Sequence, residues 1–352
     1  MIVGIAYDLK EDFQVAQDLP DDWLEEYDSE NTIRAIQQVI EGLGHQVVLL
    51  GGGATFVDRI RQEPVDLVFN LAEGGKGRSR EAHIPALLEM LEIPYTHSDP
   101  LTLALTLDKE MTKRIIASEG IPTPDFRMIR DVADLVQVDL PYPLFVKPAY
   151  EGSSKGIRSH SRVNTPEELR REVERLLGDY GTPVLVEDFL CGREFTVGIL
   201  GNGSPYALAI MEVLPAEGCV EDFVYSIVMK RECGSRVRYQ SPPDVSVALL
   251  GQIEDMAIRT YKVLGCRDVA RVDIRLDHQG MPHVIEVNPL PGIAPEYSDL
   301  VIMAECSGWS YARLIETILG HALDRLQISM LWSVHRSCAS GAMGRREAMF
   351  AP

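Results

Sequence analysis

Cysteine is scarce and scattered in this 352-residue sequence: six residues, at 191, 219, 233, 266, 306 and 338, with no C-x-x-C pair among them. That argues against a disulfide framework or a zinc site and fits thiols kept reduced in a cytosol. Basic charge is short as well. Lysine and arginine total 34 against 53 acidic residues, a formal net charge of −19. Sequence-independent nucleic-acid binding needs a basic footprint and is therefore not expected. An anionic ligand would have to be held by local basic groups and metal. No apolar run reaches the length of a membrane span. The opening MIVGIAYDLKED is a strand running into charge, unlike a signal peptide. The expectation is a cytoplasmic protein without membrane contact. Nor does G-x-G-x-x-G follow the first strand; Gly51-Gly52-Gly53 follows the second and reads as a turn.

What is present is a soluble composition, 45% apolar and 25% charged, in a chain long enough for two or three domains. Strands are expected at 1–7, 46–50 and 66–70, with a helix at 30–43 stopped by Gly44 and another near 55–62. Strand and helix in alternation imply a parallel, Rossmann-like α/β layer. The loop 71–80 sits past a strand end, where open α/β sheets bind ligands, and carries Glu73, Lys76, Arg78 and Arg80. A polar surface loop is the plain alternative. Gly120–Pro124 marks a boundary, because two prolines and a glycine cannot continue a helix.

Lys147 ends a further strand and is followed by Pro-Ala-Tyr-Glu-Gly-Ser-Ser-Lys-Gly, a charge and small residues able to fold over a phosphate. A helix should then run over 165–177, with Thr165 as N-cap and Glu168 completing a capping box. Residues 269–292, VARVDIRLDHQGMPHVIEVNPLPG, read as a hairpin turning at Asp277–Gly280. With Asp277 paired to Gly280, Arg271 faces Glu286 and Asp273 faces Val284. Alternation then places Arg271, Asp273, Glu286 and Asn288 on one face, and Val272, Ile274, Leu276, Ile285 and Val287 on the other. Two carboxylates and an amide oxygen suit Mg²⁺. A solvated face with an Arg271–Glu286 pair would show the same alternation.

R-x-D…E-x-N-x-x-P-G, V-K-P-x-x-E-G-S-S-x-G and I-P-Y-T-x-S-D-P…L-x-x-D-K…T-K, with G-I-P-T-P behind it, occur here in one order. Together they resemble the ATP-grasp superfamily, and in particular the D-alanine–D-alanine ligase family, over residues 1–326. The resemblance implies an α/β fold, α+β in its ATP-grasp part, in three domains. These are a Rossmann-like domain at 1–106, a central ATP-binding subdomain at 107–190 and a subdomain with the metal hairpin at 191–326. The tail 327–352 lies outside the pattern. By the same resemblance Lys109, Lys147 and the loop with Glu151, Ser153 and Ser154 hold the phosphates of ATP. Glu187 and Leu190 frame the adenine, and Glu194 accepts from the ribose. Asp273, Glu286 and Asn288 bind Mg²⁺, two ions, with Mn²⁺ an acceptable substitute. Arg271 and the Gly292 N–H face the oxyanion, and Ser153 and Lys230, the latter on a long loop at 214–243, close over the site. A homodimer is also implied.

The departures bear on substrate. The family's glutamate after the first strand is lost in Ala6-Tyr7-Asp8-Leu9-Lys10. Arg231 stands where the closing loop has tyrosine, and Tyr297 where a short hydroxyl residue follows the glycine. The expected activity is an ATP-dependent carboxylate–amine ligase acting through an acylphosphate on amino acids or peptides other than two D-alanines. Arg78, Arg80 and Arg231 point to an acidic or larger substrate. A D-alanine–D-alanine ligase of cell-wall synthesis is the alternative, followed by an ATP-grasp enzyme using another nucleophile and a nucleotide-binding module without catalysis.

Overall fold

β1 (Ile2–Ala6) carries no polar side chain, as suits a parallel strand covered on both faces. After it come α1 (Glu30–Gly42), β2 (Gln46–Gly51), α2 (Gly53–Gln62) and β3 (Leu67–Asn70), and the three strands pair in parallel in the order β2-β1-β3. The Ser29 hydroxyl caps α1 by accepting from the Thr32 N–H, and Gly44, at φ +87°, lets the chain leave its far end. Ile33, Ile36 and Ile40 of α1 pack with Val3 and Ile5, while Phe56 and Ile60 of α2 pack with Ala6, Leu50 and Val68. The two helices thus cover opposite faces, as the α/β reading requires. The computed structural model describes residues 1–13, 19–232 and 235–327; the expected tail falls outside these, apart from residue 327.

α3 (His83–Met90), α4 (Pro100–Leu107) and α5 (Lys109–Ser118) bridge to the second sheet. Asp108 caps α5 through the Met111 N–H, which sets Lys109 at the first helical position and Lys113 one turn further on the same side. β4 (Phe126–Ile129), β5 (Leu144–Pro148), β6 (Arg162–Val163), α6 (Pro166–Tyr180) and β7 (Val184–Asp188) follow. The strands form an antiparallel sheet in the order β4-β7-β5-β6, and Leu169, Val173 and Leu176 of α6 pack against Val146, Val184 and Val186. Thr165 caps α6 as expected. Glu168, however, accepts from the N–H of Asn164 at 2.7 Å, so the expected box is displaced by one residue.

The third sheet contains β8 (Glu194–Leu200), β9 (Tyr206–Pro215), β10 (Val237–Gln240), β11 (Val269–Leu276) and β12 (Pro282–Asn288) in the order β10-β9-β8-β11-β12. The 214–243 stretch is no plain loop: it holds β10 and the short helix α7 (Ile227–Arg231). α8 (Val247–Val263) covers the face made by Phe195, Val197 and Ile199. On the other face Gly198 is required, because a Cβ there would meet Leu300 Cδ1 at 2.8 Å. Leu300 belongs to α9 (Asp299–Cys306), an element without a sequence signal. α10 (Tyr311–Arg325) then returns to α1, and Leu314, Ile315 and Ile318 share one core with Val3, Ile5, Leu200 and Val269. The last described helix therefore packs in one core with the first strand.

Candidate active site

The pairing of β11 with β12 differs from the simple register. Arg271 lies opposite Asn288 and Asp273 opposite Glu286, and the register shifts between Asp273 and Ile274. Two local causes act. The turn extends to Met281, whose N–H donates with that of Gln279 to Asp277 Oδ1, at 2.9 and 2.8 Å. Ile285 is an extra residue on β12, a β-bulge. The polar set stays on one face, but Ile285 leaves the core: Val284 takes that place, and Ile285 lines the cleft between the second and third sheets.

Asp273 is held from three sides. Arg271 Nε and Nη2 each donate to it at 3.0 Å, Thr196 Oγ1 at 2.7 Å, and Asn288 Nδ2 at 3.1 Å. Glu286 is 2.9 Å from Lys109 Nζ. With its N–H on Asp273, Asn288 keeps its amide oxygen as acceptor. Two carboxylates and one amide oxygen are a hard donor set that leaves positions for phosphate oxygens, and so fits Mg²⁺. Among the described residues no group of three His, Cys, Asp or Glu forms a competing metal cluster.

The cleft is lined by Lys147, Ser153, Ser154, Glu187, Leu190 and Glu194, all from the expected set. Glu187 lines the cleft together with Leu190, and it is also the partner of two lysines. Its buried carboxylate lies 2.6 Å from Lys147 Nζ and 2.7 Å from Lys113 Nζ. Burial pushes the Glu187 carboxyl up, but the two lysines outweigh burial and hold it below its ordinary value. Burial pulls the Lys113 ammonium down to about 8, partly offset by Glu187. Lys147 is desolvated too, yet Glu187 and Glu286 raise it above its ordinary value, so it is charged where a phosphate would arrive. Ser153 and Ser154 sit at φ +47° and +60°, a strained conformation for non-glycine residues, and their N–H groups have no hydrogen bond among the described residues. Glu194 is 3.2 Å from Arg275 Nη1, and burial pushes its carboxyl up.

Two residues of the expected phosphate set do not line the cleft itself. Lys109 lines a chamber next to the cleft, bonded to Glu286 and, at 2.5 Å, to the Glu151 carbonyl. The Glu151 carboxylate is 2.5 Å from Lys155 Nζ and lines none of the cavities described here. Lys230 borders the cleft and also a larger cavity of about 720 Å³. Arg271 borders both and the chamber as well, while Gly292 lies between chamber and large cavity.

A segment that no motif marked closes this assembly. Glu26 accepts from the Gly152 N–H at 2.5 Å and pairs with Arg80 at 2.6 Å and Lys155 at 2.8 Å. Burial alone would raise its carboxyl, but Arg80 and Lys155 bring it down to about 2. Asp22 accepts from the Gly156 N–H, Arg158 and Tyr180. Residues 21–26 thus strap down both ends of the phosphate loop. Arg231 joins Asp21 at 2.6 Å and Glu25 at 2.8 Å, and Tyr297 Oη donates to Glu25 at 3.1 Å.

These contacts bear on the three arginines read as substrate determinants. Arg80 is buried against Glu26, Arg231 is committed to Asp21 and Glu25, and Arg78 lies 3.5 Å from Asp108. Arg80 and Arg231 are thus engaged within the chain, while Arg78 is exposed and lines none of the three cavities. Sequence reasoning also passed over Lys113, Glu26, Arg275 and Ile285. Lys113 follows Lys109 at i+4 and Arg275 continues the Arg271, Asp273 alternation, so both had a usable signal. Glu26 and the bulge had none.

A cleft between two antiparallel sheets, with paired lysines on one wall and a carboxylate–amide hairpin on the other, defines an ATP-grasp enzyme. The D-ala D-ala ligase C-terminus family model matches residues 115–320. A D-alanine–D-alanine ligase of Pelotomaculum thermopropionicum is 34% identical over 84% of this chain and 92% of its own length. An uncharacterized protein, y4sG, of Sinorhizobium fredii is 32% identical over 87% of this chain and 90% of its own. Among solved structures, the Bacillus anthracis D-alanine–D-alanine ligase complexed with ATP superposes with a TM-score of 0.69 at 22% identity, covering 94% of this chain and 99% of that one. The chain belongs to the D-alanine–D-alanine ligase family and is an ATP-dependent, ADP-forming ligase.

Proposed function

We propose that this ligase joins a carboxylate to an amine on amino acid or peptide substrates other than a pair of D-alanines, and that it works in the cytoplasm. The observation that carries this reading is the wall of the large cavity, where Arg231 and Tyr297, the two departures from the family pattern, are both hydrogen-bonded to Glu25. With its arginines committed within the chain, the cavity supports a larger substrate but not specifically an acidic one.

In this reading Lys147 and the free N–H groups of Ser153 and Ser154 hold the phosphates. Leu190, Ile285 and Glu194 enclose the nucleoside. Asp273, Glu286 and Asn288 would hold Mg²⁺, two ions, which neutralises charge on the β- and γ-phosphate oxygens. A substrate carboxylate oxygen attacks the γ-phosphorus and ADP leaves. The neutral amine nitrogen then attacks the acyl carbon, the bond to phosphate breaks with its electron pair on the phosphate, and the proton lost by the nitrogen goes to the departing phosphate. Arg271 and the Gly292 N–H stabilise the oxyanion between these events.

The test is phosphate release with Mg-ATP, first with D-alanine alone and then with amino acids and dipeptides in pairs, products being identified by mass. A mixed pair is expected to react faster than D-alanine alone. D-alanyl-D-alanine as the main product would overturn the substrate assignment. That second reading, a cell-wall ligase, is favoured by the names of relatives such as the Pelotomaculum enzyme.

A further inference from the structure

The small chamber between the cleft and the large cavity has a volume of about 60 Å³. It shares Arg271 and Ser153 with both neighbours, Glu286 with the cleft and Gly292 with the large cavity. It is therefore the point where an acyl carbon and its attacking nitrogen would meet. Two glutamates on its wall, Glu73 and Glu81, belong to neither the metal set nor the phosphate loop. Glu81 is 8% exposed, and among the described residues its side chain has no hydrogen bond and no ion pair. The nearby cations are already engaged: Arg80 with Glu26 and Lys109 with Glu286.

Two like charges buried side by side are costly unless a cation joins them. Burial pushes the Glu81 carboxyl up to about 7, and burial followed by the charge of Glu81 pushes Glu73 well above its ordinary value. Arg80 and Lys109 offset this only in part, and neither forms an ion pair with Glu81, each being bonded to another carboxylate. We propose that Glu81, backed by Glu73, receives the ammonium group of the nucleophilic substrate and holds it beside Arg271 and Gly292. The substrate class that follows is an amine carried in charged form, its body lying in the large cavity. The inference rests on the ligase reading above.

The experiment is calorimetric titration of D-alaninamide, an amine with no carboxylate, into the full-length protein saturated with Mg-ADP. Wild type is compared with E81Q and E73Q, and bound Mn²⁺ is counted in parallel by electron paramagnetic resonance. Wild type should bind D-alaninamide and not its N-acetyl derivative. Affinity should fall at least tenfold in E81Q and at least threefold in E73Q, with Mg-ADP affinity within twofold and the Mn²⁺ count unchanged. Absence of binding to wild type, equal binding by both variants, or a lost Mn²⁺ ion would overturn the assignment. Should E81Q fail to fold, E73Q carries the comparison. Glu81-dependent binding in a protein that forms no amide with any pair would sink the ligase reading alone. Amide formation with an unchanged KM for the amine in E81Q would sink this assignment alone.

Discussion

Glu187 shows how much one carboxylate can organise. It fixes Lys147 toward the cleft and neutralises Lys113 behind it, and all three are buried. Removing one charge from such a group leaves the others uncompensated, so Glu187→Gln should cost about 3–5 kcal/mol in urea unfolding and raise the KM for ATP. Asp28 gives a pH test. It borders the large cavity, and burial, partly offset by Lys10 and reinforced by Asp8, pushes its carboxyl up to about 7. A carboxyl raised in the folded state favours folding fully below its unfolded pKa of about 4, and that contribution is lost as pH rises through 7. Asp28→Asn should therefore match wild type near pH 4 and exceed it by roughly 2–4 kcal/mol at pH 8. Thermal melts across that range decide the matter; a constant offset would show that Asp28 is not the titrating group.

At the scale of elements, the hairpin was legible in composition but not in register. Alternation named the four polar residues correctly, because a two-residue period survives any slip that is even overall. A longer turn and one bulge changed every partner without changing the face. Bulges leave no composition signal, and so Ile285 was assigned to the core. Its half-buried place in the cleft makes Ile285→Ala a probe of nucleotide packing. The KM for ATP should rise several-fold in steady-state kinetics, while stability falls by no more than about 1.5 kcal/mol, since the core position belongs to Val284. α9 escaped for a similar reason: it is short, and its role is a close approach permitted by Gly198 on another strand. β1, β2, β3, β5, the β11–β12 hairpin, α1, α2 and α6 were readable because their periodicity, caps and stops act locally.

Over the whole molecule, the sequence could not disclose contacts between its ends. Leu314 of α10 lies in one core with Val3 and Ile5 of β1, and Asp268 takes Arg325 at 2.9 Å and the His97 N–H at 2.9 Å. Leu314→Ala should cost about 3 kcal/mol and should also speed amide hydrogen exchange in β1, some three hundred residues away in sequence. Exchange increased only within α10 would argue against a shared core.

The strap has a kinetic corollary. Glu26 and Asp22 hold the backbone of the phosphate loop, while Arg231 and Tyr297 hold the strap from across the large cavity. Were a nucleotide held under that loop as proposed, its release would require these charged contacts to loosen, and such openings often limit turnover. The first cycle should then outpace those that follow. Rapid mixing with Mg-ATP and an accepted substrate pair should yield a burst of acid-labile phosphate close to one per active site. Added salt should quicken the slow phase and leave the burst untouched, which makes the amino-terminal segment the timer of an enzyme whose chemistry resides elsewhere.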